Sequence, residues 1–128
     1  MVTSPKTHIL LAEDEVFLVE IYQRKLEDEG YKVSVANDGE TALKIMLNEN
    51  VELVLLDIMM PKMNGMEVLR KMQKNPKLNK IIPVVFSNLG YGKDVEKAKK
   101  LGAKEYIIKS NVTTKEVLVK IKSLLKNK

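Results

Sequence analysis

One α/β domain, built on a parallel sheet covered by helices on both faces, is the fold class that this 128-residue sequence predicts. Three observations carry the reading. Five short apolar runs alternate with amphipathic stretches of helical spacing, and the segments joining them are short. The runs Ile9–Ala12, Leu53–Leu56 and Val84–Phe86 are continuously apolar rather than alternating, as strands buried on both faces must be.

Thr7-His8-Ile9-Leu10-Leu11-Ala12 is the first strand, and it ends in Glu13-Asp14-Glu15. The helix that follows keeps the spacing Leu18, Tyr22, Leu26; Asp14 is a candidate cap, and Gly30 stands where a helix ends in a left-handed residue. Tyr31 to Val35 alternates as a second strand. Asn37-Asp38-Gly39-Glu40 then turns into a helix whose Ala42, Leu43, Met46 and Leu47 are expected to face inward. Val51 to Leu56 forms the third strand and delivers Asp57 to its end, before Pro61 and Asn64-Gly65 break the chain into a turn.

Met66, Leu69 and Met72 mark a third helix ending near Asn75-Pro76. Ile81 to Ser87 is the fourth strand, with Pro83 near its start, where a missing donor is tolerated. After the turn Asn88-Leu89-Gly90-Tyr91-Gly92 comes a helix with Val95, Ala98 and Leu101 inward, closed by Gly102. Ala103 to Ile108 is the fifth strand and ends on Lys109. The last helix starts at Thr113-Thr114, where Glu116 completes a Thr-x-x-Glu capping box, and carries the stripe Val117, Leu118, Ile121, Leu124, Leu125.

Composition narrows the chemistry. Cysteine is absent, which excludes disulfides, thiolate metal sites and a thiol nucleophile. No run approaches the roughly 20 apolar residues of a spanning helix, and the first residues carry no signal segment, so a cytoplasmic protein without a membrane part is expected. Six of the seven methionines sit at helical spacing or beside the Asp57 turn, which suits flexible core filling better than a metal or redox role. The net charge of +5 is divided: residues 1 to 64 hold six Lys/Arg against twelve Asp/Glu, and residues 65 to 128 hold sixteen against five. The lysines of the basic half lie along helices without interleaved aromatics, the pattern of a solvated face rather than a nucleic-acid surface.

In open parallel sheets, sites form outside the carboxyl ends of the strands. Glu13 and Asp14, Asp57, Ser87 and Lys109 all end strands, so they share one edge. Clustered carboxylates need a cation, and an oxygen-only set suits Mg²⁺. A hydroxyl and a lysine facing an acid pair are what an incoming phosphoryl group requires while one carboxylate attacks it.

These residues resemble a family, the receiver domain of two-component response regulators, the CheY-like proteins, over about residues 6–125 of a single domain spanning 1–128. The matching motifs are Ile9-Leu10-Leu11-Ala12-Glu13-Asp14-Glu15, Asp38-Gly39, Leu55-Leu56-Asp57-Ile58-Met59-Met60-Pro61-Lys62-Met63-Asn64-Gly65, Ser87, Leu101-Gly102-Ala103 and Tyr106-Ile107-Ile108-Lys109. The resemblance implies a flavodoxin-like (βα)5 doubly wound sheet of strand order 2-1-3-4-5. It implies Asp57 as phosphoacceptor from a sensor histidine kinase or histidine phosphotransfer protein, in a signalling protein rather than an enzyme. Mg²⁺ (or Mn²⁺) would be held by Asp14, Asp57 and the backbone carbonyl of Met59, with Glu13 acting mainly through water. Ser87, the backbone of Asn88 and Lys109 would bind the phosphoryl group, Ser87 and Tyr106 would switch, and Met59 and Leu89 would tune its lifetime. Tyr106 is otherwise a half-buried strand aromatic.

The switching face would comprise the fourth helix, fifth strand and fifth helix, and Lys93, Lys97, Lys99, Lys100 and Lys104 make it basic, which suits an acidic protein partner. Nucleic-acid binding by the chain itself is not expected; a monomer is, with dimerisation on phosphorylation left open. Two positions depart from the family. Lys109-Ser110 replaces the usual Lys-Pro, and because a cis bond before a non-proline residue costs about 3 to 4 kcal/mol, trans is expected here. Asn88 stands where a small residue is usual, which narrows access to Asp57. A haloacid-dehalogenase-type phosphatase would need an acid where Met59 stands, and a flavin-binding flavodoxin a phosphate loop where Glu13-Asp14 stand. An unphosphorylated interaction module of the same fold and a fragment of a longer DNA-binding regulator remain alternatives, although the clean stop after the fifth helix favours stand-alone action.

Overall fold

The computed structural model describes residues 6–90 and 92–127. Its strands are β1 (His8–Ala12), β2 (Lys32–Ala36), β3 (Leu53–Leu56), β4 (Ile82–Ser87) and β5 (Glu105–Ile108). They alternate with helices α1 (Val16–Asp28), α2 (Gly39–Asn48), α3 (Gly65–Lys74), α4 (Gly92–Lys100) and α5 (Thr114–Lys126), with a 3-10 turn at Lys109–Asn111 before the last. All strand pairings are parallel and the order is β2-β1-β3-β4-β5, as expected.

The continuous apolar runs are explained by two cores, one on each face of the sheet. Because side chains alternate along a strand, Leu10, Val54, Leu56 and Val85 point to one side, against Ala42, Met46, Leu69, Met72 and Ala98 from α2, α3 and α4. Ile9, Leu11, Leu53, Leu55, Val84 and Phe86 point to the other, against Tyr22, Leu26, Val117 and Ile121 from α1 and α5. Each of the five methionines Met46, Met60, Met63, Met66 and Met72 packs in or against the first core. Met59 does not; it is 65% exposed.

The helix ends follow the local chemistry. Gly30 and Gly102 have φ of 94° and 106°, the left-handed residues that close α1 and α4. Asp38, Asn64 and Thr113 each accept a backbone N–H bond at the start of α2, α3 and α5, and the Thr113–Glu116 box is complete. Asp14 does not cap α1. The N-cap is Glu15, without a side-chain cap bond, and Glu15 N donates instead to Glu13 Oε2 at 3.1 Å.

Strands β1, β2 and β3 begin one or two residues later than expected, and three further boundaries or faces differ for identifiable reasons. Leu47 is 48% exposed, because the line Ala42–Met46 already faces the sheet and Leu47, one helical step round, falls on the rim beside Pro76. β5 begins at Glu105 rather than Ala103, since Ala103 N still closes the end of α4 onto Ala98 O and only with Lys104 N, which donates to Pro83 O of β4, does the chain reach the sheet. β4 begins at Ile82, and Pro83 is tolerated inside the sheet because its neighbour on that side, β5, pairs first at Val84↔Glu105. The turn residue Tyr91 lies outside the described residues.

At the opposite end of the sheet from the acidic edge, His8 is 4% exposed and its Nε2 lies 2.7 Å from Ser34 Oγ, which donates to Glu49 Oε1 at 3.4 Å. Burial holds the His8 pKa below its usual 6.5, with Lys32 adding to the effect and Glu49, the Asn50 backbone and Glu52 opposing it. The unfolded chain therefore binds this proton more readily than the folded one. The contribution is complete above the ordinary histidine pKa of about 6.5 and is lost as pH falls through the depressed folded value. Denaturant melts at about pH 7.5 and about pH 5 should show a larger acid loss of stability in the wild type than in His8→Asn.

Candidate functional site

β1 and β3 are neighbours, and it is between them that the strand order reverses: the chain leaves β1 toward β2 on one side and resumes at β3 on the other. Every side chain singled out for chemistry lies where these strands, β4 and β5 end. Asp57 N donates to Ala12 O at 3.0 Å, so the acid directly continues the ladder rather than floating on a loop. Glu13 and Asp57 are buried at 1% and 5% exposure, Asp14 is exposed, and carboxylate oxygens of the three lie within 4.8 Å of one another.

One cation is built into this cluster. Lys109 Nζ lies 3.0 Å from Asp57 Oδ2, 2.6 Å from Glu13 Oε1 and 4.0 Å from Glu15 Oε2, with the Phe86 ring centroid 5.6 Å away. Burial disfavours the ammonium, but the close contacts and charges of Glu13 and Asp57 outweigh it and hold the Lys109 pKa above its ordinary value. Burial likewise pushes the Glu13 carboxyl up, against the pull of Lys109 and the Glu15 amide and with added repulsion from Asp57. Glu13 Oε1 touches Lys109 only as an ion pair and accepts no hydrogen bond of proper geometry among the described residues.

A divalent cation fits this donor set. A buried carboxylate oxygen without a well-formed hydrogen bond, two further carboxylates within reach and no histidine or cysteine in the cluster are the chemistry of a hard, oxygen-preferring ion such as Mg²⁺.

The loop after β4 is held from two directions at a single residue. Leu89 N donates to Ser87 Oγ at 3.2 Å, and the half-buried Tyr106 hydroxyl donates to Leu89 O. Burial, followed by the charges of Asp94 and Asp57, raises the Tyr106 pKa, so its hydroxyl stays a donor at neutral pH. Asn88 Oδ1 accepts from Ser110 N at 3.0 Å, which directs it toward the 3-10 turn. The Lys109–Ser110 peptide is trans, as expected from its sequence, and no described peptide bond is cis.

The loop after β3 is held as tightly. Met59 N donates to Asp57 Oδ1 at 3.2 Å, and Gly65 N to Ile58 O at 2.8 Å. A Cβ on Gly65 would overlap the carbonyl oxygen of Asp57, and one on Gly39 that of Met63, so both glycines are set by close backbone approach. Lys62 adopts φ of 66° and its ammonium lies 3.9 Å from Asp38 Oδ2.

The response regulator receiver domain family model matches residues 9–122. The chain belongs to that family. Its receiver fold is similar to that of a receiver domain protein (CheY-like) from Methanospirillum hungatei JF-1, with 28% identity, a TM-score of 0.88 and 96% of each chain covered. It is also similar to a Borrelia burgdorferi structure of a CheX–CheY–BeF3–Mg²⁺ complex, at 30% identity and a TM-score of 0.84, covering 93% of this chain and 89% of that one. Among curated relatives, the response regulator SaeR of Staphylococcus aureus is 35% identical over 120 residues, 93% of this chain and 50% of its own length. The chain thus spans about half the length of the curated relatives it matches.

Several features of this receiver were not singled out from the sequence. Val16 and Phe17, at the start of α1 beside the acidic edge, are 67% and 81% exposed, and Ile21 is 46% exposed. The signal was present: α1 carries more apolar residues than its inward line Leu18, Tyr22, Leu26 needs, and 17 and 21 are four apart on another face. Glu15, the partner role of the Asn88 side chain and the backbone approach at Gly65 depend on geometry that spacing does not encode. No described helix is long and apolar enough to cross a membrane.

Proposed function

We propose that this receiver accepts a phosphoryl group on Asp57 from a histidine kinase or histidine phosphotransfer protein, in the cytoplasm, and switches a protein-binding face in response. The observation that carries the reading is a buried carboxylate flanked by Glu13, Asp14 and a buried lysine on one sheet edge. A lone strand-end acid needs none of these.

In the transfer, an Asp57 carboxylate oxygen attacks phosphorus as the P–N bond to the donor imidazole breaks and its electron pair returns to the ring. Asp14, Asp57 and the Met59 carbonyl are the proposed ligands of Mg²⁺, with Glu13 contributing through water; the bound ion would neutralise phosphoryl oxygens. Lys109, already charged and 3.0 Å from Asp57, supplies a fixed positive partner for another oxygen. The Ser87 hydroxyl and Asn88 backbone N–H complete the cradle. The same arrangement would accept small phosphoryl donors slowly without a kinase.

The product adds roughly −1.5 to −2 charges. As Ser87 Oγ turns toward the phosphoryl group it releases Leu89 N, and Leu89 O is where Tyr106 is bonded. One residue thus links the site to β5, and output is a shift between two packings of α4, β5 and α5. A near-complete switch needs a differential of about 5.5 kcal/mol.

Incubation with Mg²⁺ and acetyl phosphate should give a single phosphoryl adduct by intact mass, absent in Asp57→Ala; an unlabelled wild type would leave the unphosphorylated module as the better reading. Met59 and Leu89 are apolar and cannot orient an attacking water, so the adduct should outlast minutes in the absence of a phosphatase, and loss within seconds would contradict that assignment.

Two surfaces suit partners. Val16, Phe17 and Ile21, on the first turns of α1 just after the strand end that carries Glu13 and Asp14, offer apolar area for the phosphoryl donor protein. Phe17→Ser should therefore slow transfer from a phosphohistidine protein far more than labelling by acetyl phosphate, and equal slowing of both would count against docking there. Lys93, Lys97, Lys99, Lys100 and Lys104, with mostly exposed side chains on and after α4, suit an acidic downstream protein. Affinity for such a partner should fall as salt is raised, and indifference to ionic strength would refute the charge match.

A further inference from the structure

The hydrogen-bond ladder between β4 and β5 ends at Ser87↔Ile108. The next residues along each strand are Asn88 and Lys109, and beyond them the backbones part: one enters the loop toward α4, the other the 3-10 turn Lys109–Asn111. Across this gap Asn88 Oδ1 accepts from Ser110 N at 3.0 Å, a side-chain amide standing in for the rung that the backbones no longer make. The two residues joined are each directly bonded in sequence to a phosphoryl-handling residue, Ser87 on one side and Lys109 on the other.

We infer that Asn88 is a positioning residue, which clamps the 3-10 turn so that Lys109 holds its reach to Asp57 and moves in step with Ser87. This inference rests on Asp57 being the phosphoacceptor. Lys109 Nζ is anchored at the far end of a flexible side chain, whereas its backbone opens a three-residue turn whose other members, Ser110 and Asn111, are exposed. A lysine stem can satisfy its ion pair from many backbone positions, so fixing the ammonium against a transferring group requires fixing the backbone beneath it. Ser110 offers the donor because it is not proline, and Asn88 offers the acceptor because it is not a smaller residue; the two departures noted in the sequence form one contact.

The clamp and a steric screen predict opposite signs. If Asn88 merely narrowed access to Asp57, shortening it would speed labelling and lower the half-saturating donor concentration. If it clamps, Asn88→Ala should reduce the maximal rate of Asp57 labelling roughly three- to tenfold, the value of one net hydrogen bond, with little change in half-saturation. The experiment measures labelling of the full chain over a range of acetyl phosphate at fixed Mg²⁺, with Mg²⁺ affinity followed by calorimetry and Ser110 amide exchange by NMR. Ser110→Pro, which removes the donor instead of the acceptor, should give a similar loss, and the double variant should be no slower than the slower single one. In Asn88→Ala the Ser110 amide should exchange faster while Mg²⁺ affinity stays the same.

Asn88→Ala labelling as fast as wild type or faster, losses in the two singles that multiply, or a Ser110 amide unprotected in the wild type would each overturn the clamp. Asn88→Ser, which shortens the same exposed side chain, keeps the test decisive should Ser110→Pro fold poorly. A wild type that takes no label at all would instead sink the acceptor reading on which the clamp rests.

Discussion

A buried ammonium balanced between two buried carboxylates is the constraint on which the rest of this receiver depends. Burial works against the Lys109 ammonium, and the neighbouring Glu13 and Asp57 carboxylates outweigh it and hold its pKa above the ordinary value, while burial pushes the Glu13 carboxyl up against the pull of Lys109. Removing one member of such a group leaves an uncompensated charge, which is far costlier than the group itself is stabilising. The three residues come from the ends of β1, β3 and β5, so the arrangement also demands that the sheet be assembled in its observed order before the charges can meet. Electrostatics and topology here specify each other.

That demand explains the rigidity of the surrounding backbone. Asp57 N is held by Ala12 O, Gly65 is pressed against the Asp57 carbonyl, and Met59 N bonds the Asp57 side chain. The rim of β3 is thus nearly fixed. The rim of β4 is different: Leu89 hangs between Ser87 Oγ and the Tyr106 hydroxyl, two side-chain contacts that can be exchanged without breaking the sheet. On the proposed reading, a fixed acceptor beside an exchangeable contact is what a switch requires, because the modification must be converted into a choice between packings rather than into general loosening.

Much of this was legible in the sequence, for reasons tied to particular residues. Continuous runs such as Leu53–Leu56 read as two-sided strands at that length, and once five short apolar strands alternate with helices the edge carrying Glu13, Asp57, Ser87 and Lys109 follows. Turn chemistry at Gly30, Asn64 and Thr113 was equally readable, since capping is local. What failed was whatever depended on which neighbour won a hydrogen bond. Asp14 has a capping side chain, but α1 starts one residue later, with Glu15 at its N-cap; Leu47 has the right spacing, but the helix has only one line facing the sheet. The Asn88 side chain was read by its size, whereas its position one residue past the end of a ladder makes its acceptor atom the more consequential property.

The two cores lie on opposite faces of the sheet. Leu89, Tyr106 and Ala98 of α4 belong to the layer with α2 and α3, while α1 packs with α5 on the other face. Substitutions in contact couple, and those separated by a sheet largely add. The exposed residues at the start of α1 and the lysines of α4 therefore stand on separate layers, where a substitution in one is expected to leave the packing of the other intact, whereas α5, which shares a core with α1, ties that side of the proposed switching face to the donor side.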